Sequence, residues 1–176
     1  MPPKPQLTEQ QILDKAFEMV RETGFDTITA RGLAQALECS TQPVFRLFSS
    51  MEGLKHALYE KTMAYFGQQM SRPMEGAPLF LSMGLRYVEL AQREPHLFRL
   101  WCSPGCFQWD RLFVLTRGVK WQDTKLFAKV WIFTHGIASI AAADSASFPQ
   151  EEIRSLLIEA YTAFMKKDNS PVRHEP

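Results

Sequence analysis

The sequence predicts an all-α protein with an N-terminal three-helix helix-turn-helix domain and a larger C-terminal helical domain. Three observations carry that expectation. Apolar residues repeat at helical spacing in segment after segment. Residues that start and stop helices stand at the ends of those segments. Near the N-terminus, two short helical segments joined by a three-residue connection follow a longer first one.

Thr8 with Gln11 forms a capping-box signature, each side chain placed to satisfy the other residue's amide. Ile12, Leu13, Ala16, Phe17 and Val20 then make one apolar face, and Gly24 supplies a residue able to turn left-handed and stop the helix. Thr29 is positioned to cap a second helix, Ala30 to Leu37, with Leu33, Ala34 and Leu37 inward. Glu38-Cys39-Ser40 makes a tight connection. Ser40 is expected to cap a third helix, Thr41 to Phe48, where Pro43 is tolerated because first-turn amides have no intrahelical partner to lose. Val44 and Phe48 point to the core, which leaves Thr41, Gln42, Phe45 and Arg46 outward. Ser49 with Glu52 reads as a second capping box, opening a fourth helix through about Met70.

Beyond a turn region at 71–78, Leu79 to Glu94 reads as helical until Pro95 stops it, since the residue before proline is pushed out of helical geometry. A short aromatic segment follows from His96 to Cys102. Further helices are expected at Gln108 to Gly118, Thr124 to Ala143 and Gln150 to Lys167. The expected division is a helix-turn-helix domain over 1–50, a connecting helix over 51–70 and a second domain over 71–176.

Composition narrows the function classes. A hydrophobic content of 45% is enough to bury a real core, and no uninterrupted run of about 18 apolar residues marks a membrane span. The N-terminal residues have no apolar stretch of a signal peptide, so a cytoplasmic protein without a membrane partner is expected. Cys39, Cys102 and Cys106 are an odd count and argue against a disulfide framework. His56, His96, His135 and His174 lack metal-ligand spacing. No phosphate-binding loop, dinucleotide fingerprint, HExxH or nucleophile elbow occurs, so neither an enzyme nor a cofactor or metal site is expected. Charge gives no sign of nucleic acid: residues 1–60 hold six Lys/Arg against eight Asp/Glu, a net −2, and the remainder carries +3.

The local pattern points the other way. The outward residues of the third helix are groups that reach base edges and phosphates. The string from Ile12 to Leu54 resembles the DNA-binding domain of the TetR family of transcriptional regulators. The resemblance rests on Ile12-Leu13-Asp14-Lys15-Ala16-Phe17, Gly24-Phe25, Thr29-Ala30-Arg31-Gly32-Leu33-Ala34, Leu37, Cys39-Ser40-Thr41, Val44-Phe45, Phe48 and Glu52-Gly53-Leu54. It implies that Thr29 and Arg31 touch phosphate, and that Thr41, Gln42 and Arg46 enter the major groove, with Gln42 and Arg46 the base readers and Ser40 and Pro43 further DNA contacts. Phe45 stands where the family usually has a phosphate-binding tyrosine, and Met51 where it usually has a lysine. Lys55, one turn on, is a substitute for the latter, and Lys4 a further basic contact. Arg31 as a plain surface charge and Phe45 as a packed side chain are the competing readings.

The stretch Tyr87-Val88-Glu89-Leu90-Ala91 and Glu94 to Leu100 resembles the C-terminal domain of the same family, and Trp131 with His135-Gly136 resembles a Trp-x-x-x-His-Gly element of one branch. The resemblance implies a homodimer, a helical effector-binding domain and an inverted-repeat operator on double-stranded DNA. Stripes of Phe127, Val130, Thr134 and Ala138, and of Leu157, Tyr161 and Phe164, are the expected dimer seam, with a monomer core as the alternative. Tyr87, Phe98, Trp101, Phe107, Trp109, Phe113, Trp131 and His135 are the expected lining of a small-molecule pocket suited to a flat, apolar or cationic effector; the same residues would serve as ordinary core. A ligand-responsive repressor is thus the leading expectation, and a helical ligand- or partner-binding module with weak or no DNA affinity is its rival.

Overall fold

The computed structural model describes residues 7–103, 124–143 and 149–168. Every regular element among them is helical: α1 (Glu9–Thr23), a 3-10 turn (Phe25–Thr27), α2 (Ala30–Ala36), α3 (Gln42–Phe48), α4 (Met51–Met70), α5 (Leu79–Arg93), α6 (Pro95–Trp101), α7 (Thr124–Ala143) and α8 (Gln150–Asp168). The expected helix at Gln108 to Gly118 lies outside the described residues, as do Lys4 and Cys106.

The chain forms two compact units. The first holds the described residues up to Tyr65 together with 94–103, and the second holds 66–93 with the described residues from 124 onward. The division falls inside α4, and α6 groups with the N-terminal helices.

In the first unit, α1 forms where its cap predicts. Gln11 N donates to Thr8 Oγ1 at 3.2 Å and Thr8 N donates to Gln11 Oε1 at 2.9 Å, which closes the capping box. Ile12, Ala16, Phe17 and Val20 are buried, and α2, α3 and α6 pack against this helix. Gly24, at φ 84°, ends it by donating its amide to the Val20 carbonyl at 2.9 Å. Thr29 caps α2 by accepting from Gly32 N at 3.0 Å. The end of α2 is a Schellman motif: Cys39 N donates to the Ala34 carbonyl at 2.9 Å and Glu38 N to that of Gln35 at 3.1 Å, with Glu38 at φ 52° where glycine is usual.

Two caps differ from expectation. Thr41, not Ser40, is the N-cap of α3, and it makes no side-chain capping bond. At the start of α4, Ser50 rather than Ser49 accepts from Gly53 N, at 3.0 Å, because Ser49 has turned to φ 63° to end α3. A third difference concerns Pro95. It stops α5 as expected but also opens α6, where a proline in the first turn forfeits no hydrogen bond. The aromatic segment is therefore a helix, with Leu97, Phe98, Leu100 and Trp101 buried. Tyr59 of α4 packs on Trp101, their ring centroids 6.5 Å apart.

In the second unit, α5 packs on both α7 and α8, and those two pack on each other. Helix α7 is the one helix among the described residues long and apolar enough to cross a membrane. It is instead a packed helix of this unit, with Leu126, Phe127, Trp131, Thr134, Ile137, Ala138 and Ala141 buried. Gly84 on α5 faces Leu157 and Thr134, so that a Cβ there would sit 3.6 Å from the leucine Cδ1. Ser82, fully buried on α5, accepts from Met74 N at 3.2 Å and donates to the Pro78 carbonyl at 3.1 Å, which fixes the turn region that precedes it.

Candidate nucleic-acid interface and interior cavity

The candidate interface is built on α3. At seven residues this helix is too short to persist alone, and its buried anchors, Val44 and Phe48, hold it to the first unit. Anchoring one face leaves the other in water. Gln42, Phe45 and Arg46 are exposed, and Thr41 and Pro43 are half-buried beside them. On the helical surface Gln42 lies between Phe45 and Arg46, while Thr41 is one turn before Phe45. Gln42 and Arg46 make no side-chain hydrogen bond or ion pair among the described residues. Phe45 is 45% exposed, so the reading of it as a packed side chain is corrected: Val44 and Phe48 fill the apolar side of so short a helix.

Flanking α3, Arg31 and Ser40 are exposed, and Thr29 spends its hydroxyl on the α2 cap. Lys55 is half-buried, with its Nζ 5.5 Å from the centre of the Phe25 ring, a cation–π position that holds its stem to the α1–α2 connection. The expected contacts thus belong to two groups, an outer face on α3 and a rim supplied by the start of α2 and the first turns of α4.

The second unit contains a cavity with about 590 Å³ of empty space, part of it open to solvent. Phe80, Met83, Trp131, Tyr161 and Phe164 are among its walls. The polar side-chain groups of its described walls are the Thr134 hydroxyl, which already donates to the Val130 carbonyl at 2.8 Å, the Tyr161 hydroxyl and the Trp131 indole N–H. Among the described residues no carboxylate, ammonium or guanidinium lines it, and the aromatic walls offer a large apolar surface.

Of the residues expected in a pocket, Trp131 lines this cavity. Tyr87 and His135 pack beside Trp131: the Tyr87 ring lies 4.6 Å from the Trp131 ring centre, and its hydroxyl is 2.9 Å from His135 Nδ1. Phe98 and Trp101 are core residues of the first unit and take no part in the cavity. Phe107, Trp109 and Phe113 lie outside the described residues. Cys102 is half-buried, and burial pushes its thiol up to about 12, which leaves it an unreactive group at neutral pH.

Of the stripes expected at a dimer seam, Phe127, Thr134, Ala138 and Leu157 are buried, and Val130, Tyr161 and Phe164 are half-buried. Phe127, Val130, Thr134, Leu157, Tyr161 and Phe164 line the cavity, and Ala138 is fully buried. The faces left in water carry Ile132, Ile140 and Ile158, which are 62%, 53% and 40% exposed. Ile132, Gly136 and Ile140 repeat at a spacing of four, a signal present in the sequence but masked by the stronger aromatic stripe. Phe80 was also unforeseen as a cavity residue; its ring stacks on that of Tyr161 with centroids 3.4 Å apart.

No protein-family model and no curated protein matches the chain. Solved structures do. A single-residue variant of TetR from Acinetobacter baumannii AYE, in complex with minocycline, superposes with a TM-score of 0.64 at 17% identity, covering 97% of this chain and 99% of that one. A transcriptional regulator from Rhodococcus sp. Rha1 superposes with a TM-score of 0.62 at 15% identity, covering 93% of this chain and all of that one. Likeness over nearly the whole of each chain, at identities this low, is a likeness of fold, and the chain has the all-α fold of the TetR-type transcriptional regulators.

Proposed function

We propose that this protein is a sequence-specific DNA-binding transcriptional regulator that acts as a ligand-responsive homodimeric repressor. The observation that carries the reading is the outer face of α3. Gln42 and Arg46 are exposed there without a side-chain partner among the described residues, on a short helix pinned from behind by Val44 and Phe48. Glutamine and arginine are the side chains that read adenine and guanine edges in the major groove. Thr29, Arg31, Ser40, Thr41, Pro43 and Lys55 are the proposed backbone and rim contacts. The fold shared with transcriptional regulators supports the same reading.

A two-fold dimer would present two copies of α3 to an inverted repeat. The outward residues Ile132 and Ile140 of α7 and Ile158 of α8 are the proposed seam, since they are large apolar side chains left exposed on two packed helices. The cavity in the second unit is the proposed effector site, and its described walls, largely apolar and aromatic, suit an effector with apolar surface. Such an effector lowers DNA affinity by the ratio of its own affinities for the DNA-competent and the incompetent dimer.

Selection of bound sequences from a randomised duplex library tests the proposal, with Arg46→Ala and Gln42→Ala proteins alongside. Enrichment of an inverted repeat by the wild type, weakened or altered in the variants, is the expected result. If no motif emerges even at low salt, where phosphate contacts are strongest, the chain is a helical binding module and not a DNA reader.

A further inference from the structure

A large aromatic ring on the outer face of α3 is chemically out of place among Gln42 and Arg46. Phe45 is 45% exposed while Val44 and Phe48 on the same helix are buried, so its position is not a by-product of a helix too short to choose a face. Nothing in a phenyl ring donates or accepts a conventional hydrogen bond, and it therefore gains nothing from a phosphate oxygen. Its exposed carbon surface is disfavoured in water and gains free energy only from apolar contact.

The neighbours of Phe45 define where that contact would come from. Gln42, three residues before it, and Arg46, beyond Gln42 on the helical surface, carry exposed hydrogen-bonding groups, without a partner among the described residues, that suit base edges. A duplex that meets these two side chains in its major groove brings the groove floor to Phe45 as well. That floor offers one apolar group, the C5 methyl of thymine. A protein partner would instead leave the glutamine and arginine to be buried at an apolar contact, which costs free energy unless each is paired.

We propose that Phe45 is a specificity-determining residue that selects a thymine in each half-site through its C5 methyl group. This inference rests on the DNA-binding reading above and adds to it a base preference that neither Gln42 nor Arg46 supplies. The C5 methyl distinguishes thymine from cytosine, which lacks it.

Uracil substitution provides the test, because uracil is thymine without the methyl and pairs in the same way. Wild-type protein is first used to select its motif, and every thymine of that motif is then replaced singly by uracil in synthetic duplexes. Binding by wild type, Phe45→Ala and Phe45→Leu is measured on each, with circular dichroism to verify folding. The expected result is one thymine per half-site whose replacement weakens wild-type binding about fourfold, the loss of one methyl burial. The Phe45→Ala protein should bind thymine and uracil duplexes equally, and Phe45→Leu should retain most of the preference. A uracil penalty of the same size in Phe45→Ala, or no penalty at any position, overturns the inference while the selected motif leaves DNA binding intact. Failure to select any motif overturns both.

Discussion

The Tyr87 hydroxyl lies 2.9 Å from Nδ1 of His135, and both side chains pack against Trp131 in the interior of the second unit. Burial of the imidazole lowers its proton affinity below the ordinary value of 6.5. The unfolded chain therefore takes up this proton at a higher pH than the folded one. Stability is unaffected by this group above about 6.5 and falls as the pH drops from there towards the lowered folded value, below which the loss is complete. Urea midpoints between pH 5 and pH 8 should rise with pH more steeply for wild type than for His135→Gln. Parallel curves would show that His135 titrates alike in both states.

Arg21 and Glu94 join α1 to the residue that precedes α6. Arg21 Nε donates to Glu94 Oε2 at 2.9 Å and its Nη2 donates to Oε1, while the Tyr65 hydroxyl donates to Oε1 at 3.3 Å. The carboxylate side chain is 6% exposed and the guanidinium 45%. Removing the cation strands a buried charge, and the exposure of Arg21 reduces the full buried-pair penalty. Arg21→Ala should destabilise the protein by about 2 kcal/mol, and Glu94→Gln by about half as much, because a neutral amide is easier to bury. Denaturant unfolding of the two variants and of the double variant measures this. A combined effect equal to the sum of the single ones would remove the pair as a stabilising unit.

Local chemistry near the N-terminus explains why α1, α2 and α3 were legible in the sequence. Thr8, Gln11, Gly24 and Thr29 act on neighbours within four residues, so spacing alone reports them. The outer face of α3 follows from the burial of Val44 and Phe48. The faces of α7 and α8 were not legible, because two apolar stripes compete on each helix and the choice depends on α5, which is distant in sequence. The place of Phe98 and Trp101 in the first unit is hidden from the sequence for a related reason. Their pattern shows burial, whereas the unit in which they are buried is decided by contacts of α6 with α1 and α4.

Glu38 occupies the left-handed position of the α2 Schellman motif, at φ 52°. A side chain in that region costs about 1 kcal/mol relative to glycine, through contact of its Cβ with the backbone. The two hydrogen bonds of the motif, from Cys39 N and Glu38 N, need no side chain at position 38. Glu38→Gly should raise stability by about 0.5–1 kcal/mol even though it adds chain entropy to the unfolded state. Thermal unfolding of the variant checks it, and a lower midpoint than wild type would mean that Glu38 makes a contribution other than its backbone geometry.

The exposed and buried faces of α7 and α8 allow the proposed dimerisation to be tested apart from stability. Ile132 is 62% exposed on α7, and Leu157 on α8 is buried against the cavity. A charge at position 132 has no effect on the packing of a monomer but places a carboxylate in the proposed seam, where its burial without a partner costs several kcal/mol. Ile132→Glu should therefore sediment as a monomer at micromolar concentration, keep a helical spectrum, and lose affinity for an inverted repeat more than for a single half-site. Leu157→Ala should remain a dimer while losing about 2–3 kcal/mol of stability, the lower part of the usual range because the side chain borders existing empty space. If instead Leu157→Ala dissociates the protein and Ile132→Glu does not, the seam runs along the inward stripe, and α7 and α8 must repack when two copies meet.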